Sequence, residues 1–474
     1  MLKACRPERL LSSGGCILSK YADFLARKQS AGANTGFEPS FIPEKLFDFQ
    51  KMLVDWIIRK GRGAVFADCG MGKTIIQLTW AQNVLRHTNK PVLVLTPLAV
   101  SAQTIDEAHK FGLDAQRADP AIVSKNIVVT NYEQLHKFDP NNFGGVVCDE
   151  SSILKNFNGQ YKSQITEFMR LVPYRSLFTA TAAPNDWEEL GTSSEALGYL
   201  GYTDMLSRFF TNKSNTVRAK QFQNQRDKFH LRHYAEKDFW QWVASWSRAA
   251  RTPADLGFSN EGFVLPEMVE NDIEVKAARP QAGALWDLEA TNFFEEREAI
   301  RRTVNERCEA AAERVANHDI SMVWCHTNAE ADLLKRIIPN SIEVSGSDSP
   351  EKKEEAANWF VRGQEQKRVL ISKPRIFGFG MNFQHCNHAV YFPTHSYEQY
   401  YQATRRIWRF GQTRPVIIDR IYTNGGRRML ESIERKSAQA SDMFDNLVKN
   451  VNDNKQIENT YTKQEIEVPK WLSK

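Results

Sequence analysis

The chain has 474 residues, of which 42% are hydrophobic and 25% charged, a composition that argues against a disordered or fibrous protein. Its 62 basic and 57 acidic residues leave a net charge of +5, which permits a nucleic-acid partner without requiring one. Seven cysteines without a C-x-x-C pair argue against a disulfide framework or a zinc site and favour a reducing, cytoplasmic environment.

Residues 1–40 are predicted to form a helix and a linker. Apolar side chains recur at helical spacing between Ile17 and Leu25, and the QSAGANTG that follows is typical of a linker. This region lacks the apolar core of a signal peptide. No later run approaches the roughly 20 apolar residues that span a bilayer, so we expect an intracellular protein.

Two blocks follow in which short apolar runs alternate with helical patterns. Such runs are typical of strands in a parallel sheet covered by helices on both faces. In residues 41–195 they are GAVFA, VLVLT, IVVT, GVVCDE and SLFTAT, and in residues 276–450 they are SMVWCHT, IEVSG, VLISK, AVYFP and VIIDRIY. We interpret residues 196–275, aromatic and basic without buried strands, as a helical insertion. The predicted fold is therefore α/β, with two tandem doubly wound parallel-sheet lobes, this insertion, and a loosely held polar tail at 451–474.

The stretch DCGMGKT after GAVFA has the features of a phosphate-binding loop. Gly70 and Gly72 would let the backbone wrap a phosphate, Lys73 would reach the outer phosphates, and the Thr74 hydroxyl would bind Mg²⁺. The full pattern would place a glycine at Ala67, so only its second half matches. A flexible turn with an exposed lysine is the alternative, but the strand before and the helix after favour the phosphate site.

The run GGVVCDESS ends a predicted buried strand in two carboxylates. Asp149 could hold Mg²⁺ while Glu150 orients and deprotonates an attacking water. The alternative is an acidic helix N-cap, which explains one carboxylate better than two. A small-molecule kinase would fit the phosphate loop alone, whereas the added glutamate favours hydrolysis.

The stretch QATRRIWRFGQ is predicted to be helical. That spacing places Gln402, Arg406 and Arg409 on one face. A solvated basic face, or phosphate contacts to a nucleic acid, would explain the charge as well. However, the first lobe has no arginine close to its phosphate loop in the sequence, so the second lobe could supply one that stabilises the transferring phosphate.

In this order the motifs resemble those of superfamily-two helicases, most closely the Swi/Snf-type DNA translocases, across residues 41–440. The resemblance implies two RecA-like lobes that bind ATP and Mg²⁺ between them. It assigns ATP contacts to Gln50 in LFDFQ, to Gly70, Met71, Gly72, Lys73 and Thr74, and to Gln402. It places Arg406 and Arg409 at the catalytic arginine positions.

The same resemblance assigns the remaining motifs to movement on DNA. Thr96 and Pro97 in LTPLAV, Thr130 in VTNYEQL and Asn382 in KPRIFGFGMNF are similar to elements that grip a nucleic-acid backbone. Thr179 and Thr181 in TATAAPN, with Gly378 and Gly380, are similar to elements that couple hydrolysis to movement. DESSILKN resembles the acidic motif through Leu154, Lys155 and Asn156.

Three residues depart from the usual pattern. Ser152 and Trp408 stand where histidine is common, and Arg405 stands where an acidic residue is usual. The family resemblance implies an ATP-dependent DNA translocase of the compact type found in bacteria and phages, acting in the cytosol. A strand-separating helicase on DNA or RNA is an alternative. So is a nucleotide-switched scaffold that recruits a nuclease or a methyltransferase.

Other features are weighed and set aside. Trp240, Trp242 and Trp246 could stack on bases, but their helical spacing favours core packing. The basic residues between positions 213 and 232 could contact DNA or form a solvated surface. HCNH at 385–388 lacks partner ligands at zinc spacing, and Cys69 and Cys148 are expected to be small packing residues.

Overall fold

The computed structural model describes residues 34–120, 126–155, 159–183, 186–212, 229–278, 290, 292–377 and 382–453. Several predictions lie outside these residues: the helix before residue 30, Asn156, Gly378, Gly380, most of the basic stretch at 213–228, and the tail beyond 453. Within the described part of the chain, none of the helices combines the length and the apolar character that a membrane span requires.

The first lobe is a parallel sheet flanked by helices. Its strands are β1 (Arg62–Ala67), β2 (Val92–Thr96), β3 (Ala115–Arg117), β4 (Ile127–Asn131), β5 (Gly145–Asp149) and β6 (Tyr174–Thr179). Its helices are α1 (Asp48–Lys60), α2 (Lys73–Thr88), α3 (Ser101–Lys110), α4 (Gln160–Leu171) and α5 (Glu189–Leu197). Every residue of β2, β4 and β5 is buried, as the continuous apolar runs predicted.

The segment predicted as a helical insertion contains strands as well as helices. It forms α6 (Tyr202–Phe209), β7 (Phe210–Asn212), β8 (Phe229–Leu231), α7 (Glu236–Ala244), β9 (Ser247–Ala250) and β10 (Met268–Glu274). Strand β9 joins the first sheet, whose order is β3-β4-β2-β5-β6-β1-β9. The prediction that this segment lacks buried strands is therefore wrong. The four residues SRAA carry no β-branched side chain, so their sequence gave no strand signal.

The second lobe is also a parallel sheet. After β10 its strands are β11 (Ile320–Trp324), β12 (Ser341–Val344), β13 (Arg368–Ser372), β14 (His388–Tyr391) and β15 (Val416–Tyr422), in the order β10-β15-β14-β11-β13-β12. Its helices are α8 (Phe293–Arg302), α9 (Val304–Ala316), α10 (Asn328–Ile337), α11 (Pro350–Arg362), α12 (Pro374–Phe377), α13 (Tyr397–Thr404) and α14 (Arg427–Asp453). The two parallel sheets confirm the predicted tandem α/β architecture.

The tryptophans of the inserted segment belong to the first lobe's core, which confirms the packing interpretation. Trp240, Trp242 and Trp246 are all buried together with Phe239. Their rings contact one another, with Trp242 and Trp246 centroids 5.5 Å apart.

Helix α14 connects the two lobes. Near its start, Ile433 packs in the core of the second lobe. Near its end, Phe444, Leu447 and Val451 pack in the core of the first lobe. The helix continues to Asp453, so the expectation of a loosely held tail from residue 451 is wrong for Val451, whose apolar side chain is buried.

Candidate nucleotide site between the two lobes

The loop between β1 and α2 has the conformation that the two glycines permit. Gly70 and Gly72 have φ angles of +92° and +76°, in the left-handed region that glycine tolerates. A Cβ at Gly72 would lie 2.2 Å from the Gln50 side-chain nitrogen. Lys73 is the first residue of α2, and its Nζ donates a hydrogen bond to the carbonyl oxygen of Ala67 at 2.9 Å. The lysine is thus folded back under the loop.

Gln50 joins helix α1 to this loop. Its Oε1 accepts a hydrogen bond from the backbone N–H of Phe47 at 3.1 Å. Its Nε2 donates to the carbonyl oxygen of Met71, also at 3.1 Å. The structure therefore places Gln50 against Met71 and Gly72 of this loop.

Asp149 and Glu150 lie at the carboxyl end of β5. Burial, followed by the charge of Glu150, raises the pKa of Asp149 to about 7, while the charge of Lys73 opposes this shift. Glu150 has a φ of +51°, which is uncommon for a residue with a side chain. Backbone strain of this kind tends to occur at functional sites.

The TAT motif contacts the acidic pair directly. The hydroxyl of Thr179 donates a hydrogen bond to the Glu150 carboxylate at 3.3 Å. The same hydroxyl accepts one from the backbone N–H of Thr181 at 3.1 Å. A displacement of the Glu150 carboxylate would therefore alter the hydrogen bonding at the end of β6.

The arginines of the second lobe follow α13 instead of lying on it. The helix ends at Thr404, so the prediction of one continuous helical face through Arg409 is wrong. The Thr404 hydroxyl donates to the carbonyls of Tyr400 and Tyr401, a local bond that competes with regular helix. The turn that follows carries Arg406 and Arg409 towards the first lobe.

Arg406 and Arg409 face the phosphate loop. Burial lowers the pKa of Arg406, and the nearby charges of Cys69 and Glu150 partly offset this effect. Burial, then the charge of Arg406, lowers the pKa of Arg409 to about 10. Arg406 is buried and Arg409 half-buried, and two guanidinium groups that repel each other beside a phosphate loop form a site that a polyanion would stabilise.

A second group of contacts across the lobe boundary was not predicted. Asp68, two residues before Gly70, accepts hydrogen bonds from the Tyr401 hydroxyl and from Arg405, the latter at 2.6 Å. Burial has the largest single effect and would lower the pKa of Arg405, but Asp68 and, after it, Tyr401 act together to raise that pKa. The sequence signal for this contact was Arg405, which stands where an acidic residue is usual in the family pattern. Asp68 carries the charge that compensates it.

The other two departures from the family pattern also have partners. The Ser152 hydroxyl donates to Glu398 of the second lobe at 3.1 Å, and Lys155 pairs with the same carboxylate. The indole N–H of Trp408 donates to the carbonyl oxygen of Pro266 at 2.7 Å. These departures therefore contribute to the contact between the lobes and to the packing of the connecting segment.

An aromatic cluster lies beside the phosphate loop. The Phe263 ring lies 5.0 Å from the Phe47 ring and 4.8 Å from the Phe410 ring. A Cβ at Gly70 would lie 2.9 Å from the Phe410 Cβ. Phe47 and Phe410 are 50% and 39% exposed, so their faces could contact a nucleobase held next to Gln50. Sequence reasoning missed this cluster because its members lie far apart in the chain.

The residues assigned to DNA contact are more scattered. Thr96 ends β2 and Thr130 is the penultimate residue of the neighbouring β4, but Thr96 is fully buried and its hydroxyl bonds to Ser101 at 2.8 Å. Pro97 follows at the same sheet edge. Asn382 accepts a hydrogen bond from Arg409, which places it on the nucleotide side of the second lobe.

A magnesium ion would fit this site as a partner of bound phosphate. Thr74 offers a hydroxyl and Asp149 a carboxylate, both at the carboxyl edge of the first sheet. Within the described residues, no group of three or more histidine, cysteine, aspartate or glutamate side chains could hold a metal ion. One or two protein ligands are typical when Mg²⁺ is bound mainly by substrate phosphates and water.

Comparison with known proteins identifies no family. No protein-family model matches the chain. The chain is 30% identical over 168 residues to Putative protein p41 of Acyrthosiphon pisum secondary endosymbiont phage 1, which covers 30% of this chain and 36% of that protein. The chain thus spans about a third of the length of this relative. Among solved structures it is similar to the Sulfolobus solfataricus SWI2/SNF2 ATPase core in complex with dsDNA, with 16% identity, a TM-score of 0.39, and coverage of 86% of this chain and 94% of that one.

Proposed function

We propose that this chain is an ATPase that couples ATP hydrolysis to sequence-independent movement along duplex DNA. The observation that carries the proposal is the approach of Arg406, from the second lobe, to the phosphate loop and Glu150 of the first. The groups proposed for hydrolysis would then lie on both lobes. Because hydrolysis would need the two lobes close together, ATP turnover would be linked to lobe movement.

In the proposed mechanism, Lys73 and the backbone amides around Gly70 and Gly72 bind the phosphates of ATP. Thr74 and Asp149 would hold a magnesium ion, which neutralises charge on the phosphates when bound. Glu150 orients and deprotonates the attacking water.

The second lobe completes the site. Arg406 and Arg409 stabilise the negative charge of the transferring phosphate. Gln50, with the aromatic cluster of Phe47, Phe263 and Phe410, would hold the base.

In this mechanism, changes at the Glu150 carboxylate during hydrolysis drive the movement of the lobes. The Thr179 hydroxyl, bonded to that carboxylate, links the hydrolytic site to the end of β6, and the Asp68–Arg405 pair links it to α13. Thr96, Pro97, Thr130 and Asn382 stay our candidates for gripping the DNA backbone. Contacts to phosphates would make binding independent of sequence and sensitive to salt.

The test is steady-state ATP hydrolysis measured without nucleic acid and with duplex DNA, single-stranded DNA or RNA. Glu150→Gln, which should bind ATP without turning it over, serves as the blank. We expect strong stimulation by duplex DNA, followed by displacement of a triplex-forming strand. Hydrolysis that does not respond to any polymer, or no hydrolysis above the blank, would refute the proposal.

A further inference from the structure

Two adjacent phenylalanines are exposed at the start of α8. Phe293 is 60% and Phe294 82% exposed. The side chain of Asn292 caps this helix by accepting hydrogen bonds from the N–H groups of Phe294 and Glu295, both at 3.1 Å. The cap fixes the first turn, so two apolar rings are held in solvent on a regular element.

The Phe293 ring borders a cavity of about 650 Å³ at the carboxyl ends of β11, β13 and β14, and Phe294 is the next residue of α8. Arg297, Lys373 and Arg375 supply positive charge to its lining, and His326 and His395 also line it. The Arg297 guanidinium lies 5.6 Å from the centroid of the Phe293 ring.

The acid that lines this cavity is already engaged. Glu296 is buried, accepts a hydrogen bond from His395 at 2.8 Å and pairs with Arg428 at 3.8 Å. Lys373 and Arg375 thus leave the rim positively charged. Exposed aromatic rings beside fixed positive charge are the combination with which proteins bind unpaired nucleotides, by stacking on bases and pairing with phosphates.

We propose that Phe293 and Phe294 form a stacking site for unpaired bases of a DNA strand, with Arg297, Lys373 and Arg375 binding the adjoining phosphates. The inference rests on the proposed function, which takes DNA as the polymer. It adds a contact that duplex DNA, with its bases stacked inside, cannot make. The chain would therefore hold one strand of an opened duplex.

The position of the cavity links it to the nucleotide site. Ser396, which caps α13, and Gln399 on that helix line the cavity, whereas Arg406 follows the other end of α13. A displacement of this helix of eight residues would change both sites together. Binding of an unpaired strand at the cavity could therefore shift Arg406 and Arg409 at the nucleotide site.

The test measures binding of a single-stranded oligonucleotide that contains 2-aminopurine, whose fluorescence falls when the base stacks. It is done without ATP, so it does not depend on hydrolysis. The variants are Phe293→Ala, Phe294→Ala and the double variant, with Phe294→Trp as the variant that keeps stacking. Tyr234→Ala removes a ring that is 80% exposed elsewhere and is the matched control.

We expect each phenylalanine variant to weaken single-strand binding about 5- to 10-fold and to reduce the quenching, from the lower end of measured stacking energies. Duplex binding should change less than about 2-fold, and Phe294→Trp and Tyr234→Ala should behave as wild type. Lys373→Ala should weaken binding and flatten its salt dependence, with Lys335→Ala as the exposed-lysine control.

Three results would overturn the inference: unchanged single-strand affinity and quenching in the double variant, equal losses on single strands and duplex, or a loss on RNA alone. These outcomes are separable from failure of the proposed function. An enzyme without polymer-stimulated hydrolysis could still show the phenylalanine-dependent quenching, and an active translocase could lack it.

Discussion

Three arginines at the lobe boundary carry the same charge but make different contacts. Arg405 is paired with Asp68, whereas Arg406 is buried near Cys69 and Glu150, and Arg409 lies half-buried near Arg406 and Cys69. Adjacent arginines therefore divide into one that pairs across the lobe boundary and two whose charges lie close together beside the phosphate loop. Sequence alone could not separate these roles, because all three sit in one basic motif.

Arg406→Ala should retain ATP binding while the hydrolysis rate falls about 10³-fold or more, since an arginine of this type acts on the transition state. Lys73→Ala should instead weaken ATP binding. Both are checked by equilibrium binding of a fluorescent ATP analogue and by turnover under saturating ATP. Arg336→Ala, on the exposed face of α10, is the control. Unchanged turnover in Arg406→Ala would contradict the assignment.

Lys60 predicts a pH dependence of stability. Burial, then the charge of Arg248, lowers its pKa to about 8. The unfolded chain binds this proton up to its ordinary pKa near 10.5, so the contribution of Lys60 to stability rises with pH between about 8 and 10.5. The free energy of unfolding of Lys60→Met, measured by urea titration, should lack this rise of at most about 3 kcal/mol. Parallel curves for both proteins would contradict it.

At the scale of elements, α13 and its following turn connect several parts of the molecule. Tyr401 and Arg405 contact Asp68 of the first lobe, and Glu398 contacts Ser152 and Lys155. The helix thus meets the first lobe both before the phosphate loop and after the acidic motif. Tyr400 and Ala403 of the same helix pack in the core of the second lobe.

The Asp68–Arg405 pair should be measurable as an energetic coupling. Arg405→Met leaves the buried Asp68 carboxylate without its ion partner and should destabilise the lobe contact by about 3 to 5 kcal/mol. Adding Asp68→Asn should restore part of this loss, because the uncompensated charge is then removed. A double-mutant cycle on thermal unfolding gives the coupling, and additive effects would show that the pair is energetically silent.

Predictability from sequence differed between elements for physical reasons. VLVLT and GVVCD are continuous apolar runs, so their burial could be predicted, whereas SRAA of β9 becomes a strand only by pairing with β1. Gln50 was assigned from the family resemblance of LFDFQ, and Lys73 from the local GMGKT pattern between a strand and a helix. The Phe47, Phe263 and Phe410 cluster could not be found, since its members come together only in the fold.

At the scale of the whole molecule, α14 fastens the second lobe to the first. Beyond its apolar contacts, Arg251 of the first lobe donates to Asp445 at 2.6 Å and to the carbonyl oxygen of Ser441 at 2.8 Å. The helix has 27 residues, which corresponds to about 40 Å at the usual rise. It is long enough to reach both cores.

Leu447→Asp should release the end of α14 from the first lobe, because a buried carboxylate is not tolerated among Phe444, Val451 and their neighbours. We expect a larger radius of gyration in small-angle X-ray scattering and hydrolysis that responds less to DNA. Lys449→Asp, which changes charge on the exposed face of the same helix, is the control. Equal radii for Leu447→Asp and wild type would show that α14 does not hold the lobes.

The chain passes between the two sheets twice, once through the segment between β9 and β10 and once along α14. Two fixed crossings define a line in space. A body attached at two points along a line can rotate about it but cannot translate away from its neighbour. We therefore expect the nucleotide site to open by rotation of one lobe about this line. Arg406 would then move along an arc on which the phosphate loop lies.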